Sequence, residues 1–462
     1  MKRSPVSRLT MASLLLLLAG CGSLRTAYVP PAVTASPQWT HAEAGAPAAP
    51  GGAWWSRFGD PELDRLVDRV LARDNDLAVA AITLRKAQLQ AHYAVINPTL
   101  GANGSYGYST PLKGPLGSSQ SQSVSAQASY EVDLWGALAA QKDAAHWEAR
   151  ATRQDLESTR LSLIGTTVDL YYQIAYLNER IALADQSVAY AQQTLDLVQV
   201  QSNAGAASSL EVAEASQNLS SQRANQHALI EQRVEARNAL NLLLNGETAP
   251  EANELQQLPR SDPPPVDAGL PASLLGRRPD LRASELRLRE SLANVDETRL
   301  SFYPKLTLTG SVGSSSTSLS QLLQNPVGAL GAGLVLPFLQ QDQVRLSVGV
   351  SRANYEATTI QFRQTLYQAL TDVENALSAR TQLAAETVEL QDSLKNARLV
   401  ERLNEVRYRA GSTPLKTWLD AQETRRQAEA ALAQNQLSQL QNYVTLCKSL
   451  GGDTVQPPSD GA

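Results

Sequence analysis

The chain repeats itself at a spacing of 206 residues, and that spacing limits its architecture more than any other feature. Asn97-Pro98 returns as Tyr303-Pro304, and Gly104-Ser105-Tyr106-Gly107 as Gly310-Ser311-Val312-Gly313, both 206 positions on. Ala204-Gly205 is matched by Ala410-Gly411, and Gly246 by Gly452, at the same offset of 206. The period far exceeds the roughly 20–50 residues of solenoid repeats, so it predicts one doubled unit. Each copy reads as helix, strand, strand, very long helix, short break, helix. Residues 61–258 then form the first repeat, with a β-hairpin over about 97–135 and a long helix over 137–202. Residues 272–452 form the second, with a hairpin over about 303–338 and a long helix over 342–410. The Pro-rich stretch 259–271 is the expected linker, and 453–462 a C-terminal tail.

The two long segments lack the residues that end helices. No proline and one glycine, Gly165, occur in 137–202, and only Gly349 interrupts 342–410. At ~1.5 Å rise per residue either helix would extend on the order of 100 Å. Leu156, Leu163, Leu170 and Leu177 recur at sevens, with Ala and Gln filling much of the rest. A helical tube with a wet lumen and a plain coiled coil both fit that pattern.

The strand segments alternate strictly. Val124, Ala126, Ala128, Tyr130, Val132 and Leu134 interleave with Ser123, Ser125, Gln127, Ser129, Glu131 and Asp133. In the second repeat Leu306, Leu308 and Val312 interleave with Lys305, Thr307, Thr309 and Ser311, and Leu330, Ala332, Leu334 and Leu336 keep the same period. The Gly/Ser-rich stretches 111–122 and 313–320 read as exposed hairpin tips. Alternation with flanking Tyr and Trp is the pattern of a transmembrane β-barrel, and a soluble hairpin packed on helices alternates as well. Four strands cannot close a membrane barrel, since such barrels begin at about eight. An open edge in lipid would leave backbone groups without partners. If these strands span a membrane, several copies of the chain must share one barrel.

The N-terminus reads as an address. Lys2, Arg3 and Arg8 precede an apolar run over 11–20, shorter than the ~20 residues a spanning helix needs, so 1–20 is expected to be a signal peptide. It ends in Leu18-Ala19-Gly20-Cys21, which resembles a bacterial lipobox; Cys21 is the candidate for lipidation and opens an N-terminal anchor segment, 21–60. Gly22 after the cysteine is compatible with outer-membrane sorting in such lipoproteins. A net charge of -5 offers no basic stripe for nucleic acid. The 4 His (His41, His92, His146, His227) and 2 Cys are scattered singly, so no metal site is expected, and an acylated Cys21 leaves Cys447 without a disulfide partner. HExxH, phosphate-loop and paired Cys/His patterns are absent, so neither a catalytic site, a cofactor nor an enzyme is expected.

Five motifs carry a family resemblance. They are Trp54-Trp55-Ser56-Arg57-Phe58-Gly59-Asp60-Pro61, Glu131-Val132-Asp133-Leu134-Trp135-Gly136, Gly276-Arg277-Arg278-Pro279-Asp280-Leu281, the run Phe302-Tyr303-Pro304-Lys305-Leu306-Thr307-Leu308-Thr309-Gly310-Ser311, and Arg407-Tyr408-Arg409-Ala410-Gly411 followed by Leu419-Asp420-Ala421-Gln422. Together they resemble TolC-like outer-membrane factors of the lipoprotein, OprM-like and NodT-like branch, over essentially the whole mature chain. The resemblance implies a mainly α fold with a small membrane β part: a long α-helical barrel plus four strands per chain contributing to a shared, trimeric, twelve-stranded β-barrel. It implies a homotrimer in outer-membrane lipid, lipid-anchored and extending into the periplasm, with an equatorial belt to which 21–60 contributes. It further implies a passive exit duct for drugs or other small molecules, delivered by an inner-membrane pump, RND-type or other, through a periplasmic adaptor. A periplasmic adaptor or a coiled-coil envelope scaffold is the competing class. An adaptor should show one helical hairpin, not a doubled set, and a scaffold needs no alternating strands.

In the resembled family an Asp ring and nearby Arg links close the periplasmic end. Motif matching carries these to Asp420 and Arg409, with first-repeat equivalents Glu214 and Asn203 at the 206 offset. Lys416 stands where relatives place an apolar residue, four positions before Asp420, so the two can pair on one helix face.

Overall fold

The computed structural model describes residues 24–33, 37–41, 53–94, 96–113, 117–250, 253–266, 268–269 and 271–452. The expected signal peptide, Cys21 and the tail 453–462 lie outside the described residues. A 3-10 turn, Trp54–Phe58, leads into α1 (Pro61–Arg73) and α2 (Asn75–Tyr93), then β1 (Thr99–Ser109), β2 (Ser119–Val132), α3 (Ala137–Asn203) and α4 (Ser209–Leu243). The single turn α5 (Leu274–Arg277) and α6 (Pro279–Leu300) open the second repeat, followed by β3 (Lys305–Ser316), β4 (Val327–Val335), α7 (Gln341–Arg409) and α8 (Leu415–Ser449).

The duplication is preserved down to individual hydrogen bonds. Helices α4 and α8 both have 35 residues, and α3 and α7 have 67 and 69. Gly205 ends α3 at φ +78° and Gly411 ends α7 at φ +71°. In each break the glycine N–H returns to Ser202 O or Tyr408 O, and the next N–H returns to Gln201 O or Arg407 O. This is the left-handed cap that only a residue without Cβ adopts freely. The following helices start differently: Ser208 and Glu211 form a reciprocal capping box on α4, while Pro414 precedes α8 without a side-chain cap.

Two compact units draw on both repeats. One takes its described residues from Met1–Val33, Thr83–Arg153 and Ala283–Gln364, the other from Thr34–Ile82, Gln154–Arg282 and Thr365–Ala462. The first unit contains a four-stranded antiparallel sheet in the order β1-β2-β3-β4. Its strands reach further into the Gly/Ser-rich stretches than the sequence reading placed them, because serine hydroxyls pair across the ladder at Ser109–Ser119 (2.7 Å) and Ser105–Ser123 (2.8 Å). At the other end β2 stops at Val132, short of the alternation read to Trp135. Asp133 leaves the ladder to accept from Ala139 N (2.9 Å), and the Trp135 indole donates to Pro304 O (2.9 Å). In the same unit the irregular segment 24–33 is tied down by Thr26, whose N and Oγ1 donate to the buried Asp296 carboxylate at 2.6 and 2.7 Å. Arg25 pairs with Asp143 (2.5 Å), and Arg289 sits over the Tyr28 ring at 4.4 Å.

The second unit explains two of the motifs. Asp60 caps α1 by accepting from Glu62 N (2.9 Å) and takes the Tyr171 hydroxyl on its other oxygen (2.6 Å), while Phe58 wedges between Tyr172 and Tyr443 with centroids 5.1 and 4.9 Å away. Arg278 holds Asp280 through two nitrogens (3.0 and 2.8 Å) and reaches Asp372 and Ser449 O at 3.3 Å, latching the start of α6 to α7 and the end of α8.

Gly165 has a packing cause. A glycine inside a helix costs roughly 0.5–1 kcal/mol relative to Ala. Here a Cβ would collide with the Lys448 methylenes, so the glycine opens the notch through which Lys448 crosses α3. One turn further on, Asp169 has a buried Oδ1 without a hydrogen-bond partner. Burial pushes its carboxyl up from 3.8 to about 6, with the Lys448 ammonium acting in the opposite sense. The folded chain therefore binds this proton more tightly than the unfolded chain, and stability should fall as pH rises from about 4 to 6, by roughly 3 kcal/mol at most. Asp169→Asn should flatten that slope in denaturant midpoints measured across this range. An unchanged slope would assign the pH dependence to another group.

Candidate functional site

The register of the ladder sorts every strand residue onto one of two faces. Val132 faces Leu306 and Leu306 faces Leu334, while Ala128 pairs with Leu100 and Gly310, and Gly310 with Leu330. From Ala126 to Val132 and their partners this face is apolar but for the Tyr130 hydroxyl, giving way to Ser314, Gln122 and Ser316 toward the β1–β2 turn. Leu100, Val312 and Leu330 are wide open on the single chain, Leu330 at 94% exposure. On the opposite face Glu131 meets Thr307, Gln127 meets Ser311, and Ser125 meets Asn103 and Gly313. Val124 and Leu306 thus share the apolar face, and Glu131 and Thr307 the polar one. Aromatics mark both ends of the sheet: Tyr106 and Tyr108 at one, and at the other Tyr130, Phe338 and the Trp135–Tyr303 pair (5.2 Å). A sheet with one greasy face, one hydroxyl-lined face and aromatic ends suits a wall between lipid and a wet lumen. Among the described residues no helix is long and apolar enough to cross a membrane.

The helix break carries the second group of candidate residues. Lys416 Nζ donates to both Asp420 oxygens at 3.0 and 3.2 Å, and both side chains are about two-thirds exposed. Asp420, followed by Glu214, holds the Lys416 ammonium above its ordinary range. These three residues, from α8 and α4, are brought into one electrostatic neighbourhood. Arg409 is not part of it. Its guanidinium pairs one turn back with Glu405 (2.8 Å), which also accepts the Tyr190 hydroxyl of α3 (3.2 Å). Burial, then the Glu405 charge, pushes the Tyr190 phenol up to about 12.

Beneath these exposed charges lies a cluster absent from the sequence reading. Trp418, fully buried, stacks on Tyr408 (5.3 Å, 27°) and meets Tyr190 edge-on (6.2 Å), with Val198, Ala215 and Leu415 filling the remaining contacts. The Tyr408 hydroxyl donates to Gln201 Oε1 (2.9 Å). Tyr408 lies in a motif the sequence displays, and Trp418 sits two residues before Asp420; the signal available was an aromatic pair flanking a Gly/Pro break.

This arrangement is that of an outer-membrane channel protein. The model of the outer membrane efflux protein family matches residues 66–246 and 270–452, one segment in each repeat, and the chain belongs to that family. It is 33% identical over 462 residues to the pyoverdine export outer membrane protein OpmQ of Pseudomonas aeruginosa, with 97% of each chain covered. It is 27% identical over 466 residues to the probable efflux pump outer membrane protein TtgC of Pseudomonas putida, covering 96% of this chain and 95% of that one. Its fold superposes on the outer-membrane channel OprN with a TM-score of 0.82 at 25% identity, covering 93% of this chain and 99% of that one. The chain is an efflux and export channel protein of the outer membrane, not an adaptor.

Proposed function

We propose that three copies of this chain share one twelve-stranded barrel, their apolar faces against outer-membrane lipid and their polar faces lining the lumen. The supporting observation is the two-faced sheet of four strands with β1 and β4 as its edges, a piece that lipid tolerates only when closed by further strands. The duct passes drugs, siderophore-like compounds or other small molecules handed over by an inner-membrane pump, RND-type or other, through a periplasmic adaptor, and the chain itself does no covalent chemistry. Cys21 carries the lipid anchor, five residues before Thr26, whose hydrogen bonds to Asp296 fasten the chain. Intact-mass analysis of the mature N-terminal peptide should find a diacylglyceryl cysteine, and an unmodified peptide starting upstream of Cys21 would refute it.

Asp420 forms the closing ring at the helix breaks, with Lys416 as its neutralising cation, Arg409 bracing α7 and Glu214 contributing from the first repeat. Three carboxylates near an axis repel one another unless cations hold them. In planar bilayers Asp420→Ala should raise cation leakage and weaken block by multivalent cations. Lys416→Leu should strengthen that block. Unchanged conductance and block in Asp420→Ala would move the constriction elsewhere, with Glu214 the next residue to replace.

A further inference from the structure

We propose that Glu131 and Lys305 form a charged ring that sets the ion preference of the barrel lumen at the strand ends from which the helices leave. The four strands carry one acidic and one basic side chain, Glu131 on β2 and Lys305 on β3. Both lie on the polar face: Glu131 is the cross-strand partner of Thr307, and Lys305 stands two residues before Thr307. Lys305 Nζ is 3.6 Å from Glu131 Oε1, with both side chains about one-third exposed. Everything else on that face is hydroxyl, amide, glycine or small aliphatic, so no other fixed charge on the strands competes.

The backbone around the pair is held firmly. Asn97 Nδ2 donates to Glu131 O (2.7 Å), Glu131 N donates to Asn97 Oδ1 (3.2 Å), and Trp135 fastens Pro304, the residue before Lys305. A second carboxylate is at hand. Glu297 on α6 is pushed up by burial while the Lys305 ammonium pulls it down, which puts Glu297 within electrostatic reach of Lys305. One ammonium thus answers two carboxylates, and repetition in three copies leaves a net negative ring. Such a ring favours cations over a distance set by screening, about 30 Å at 0.01 M salt, 10 Å at 0.1 M and 3 Å at 1 M.

This inference rests on the trimeric-channel reading, and the test separates the two. Reversal potentials are measured for the full-length trimer in neutral-lipid planar bilayers across a gradient of about 10 to 100 mM KCl, where screening is weak. Wild type should prefer potassium over chloride. Lys305→Ala should raise that preference several-fold, and Glu131→Gln should lower it. The exchanged pair, Glu131→Lys with Lys305→Glu, should return it to the wild-type value, a rescue that a purely structural role would not give. All differences should vanish near 1 M salt. Conducting variants with wild-type reversal potentials would overturn the ring alone. A wild type that assembles but never conducts would overturn the channel reading and the ring with it.

Discussion

Arginine at Leu330 is expected to cost each chain about 2–4 kcal/mol of membrane insertion, and arginine at Gln127 no more than about 1 kcal/mol. Leu330 lies in the middle of β4 on the apolar face, almost fully exposed on the isolated chain and opposite Gly310, so nothing on its own sheet covers it. Gln127 lies at comparable height on β2 but faces the other way, between Gly101 and Ser311. An arginine there can extend into water. A barrel shared by three chains meets the Leu330 cost three times, about 6–12 kcal/mol, comparable to the whole stability of an ordinary domain. Heat-modifiable trimer in isolated outer membranes should therefore disappear for Leu330→Arg and persist for Gln127→Arg. Equal loss in both variants would mean that the faces are assigned the wrong way or that the sheet does not meet lipid.

Those faces are legible in the sequence because a strand reports its orientation residue by residue; with a period of two, Val124 and Glu131 cannot share a face. The long helices were legible through the want of proline, and Lys416 with Asp420 because four residues is one helical turn. What the sequence hides is whatever must be brought together from afar. Gly165 stands out in α3, but its cause, the stem of Lys448, lies on α8. The Gly/Ser stretches look like loops by composition, yet part of each is strand; in the first hairpin serine hydroxyls pair across the ladder, and in the second the Ser314 hydroxyl donates to Asn325 O. Motif matching carries Asp420 and Arg409 alike, but not the partner Arg409 takes: Glu405, one turn back on its own helix, which also accepts the Tyr190 hydroxyl from α3.

The Trp418 stack is the largest of these concealed contacts, and Trp418→Ala is expected to loosen the α7–α8 break more than any change to the charges above it. Removing a buried aromatic costs about 3–5 kcal/mol when the site cannot collapse. Collapse is restricted here: Tyr408 and Tyr190 come from two further helices, and each is tied by its hydroxyl, to Gln201 and Glu405. The indole N–H makes no hydrogen bond, so the loss is one of packing and ring contact alone. Trp418→Phe keeps a ring against Tyr408 and should recover much of the difference, whereas the exposed Lys416–Asp420 pair, screened by water, contributes far less to stability. A penalty of about 3 kcal/mol raises a local opening equilibrium on the order of a hundredfold. Hydrogen exchange over residues 415–421 should quicken by that factor in Trp418→Ala, with exchange in β2 and β3 unchanged. Conductance of the closed state should rise alongside it if the break is where the channel is shut. Exchange at the wild-type rate in Trp418→Ala would show that the break is held by contacts other than this stack.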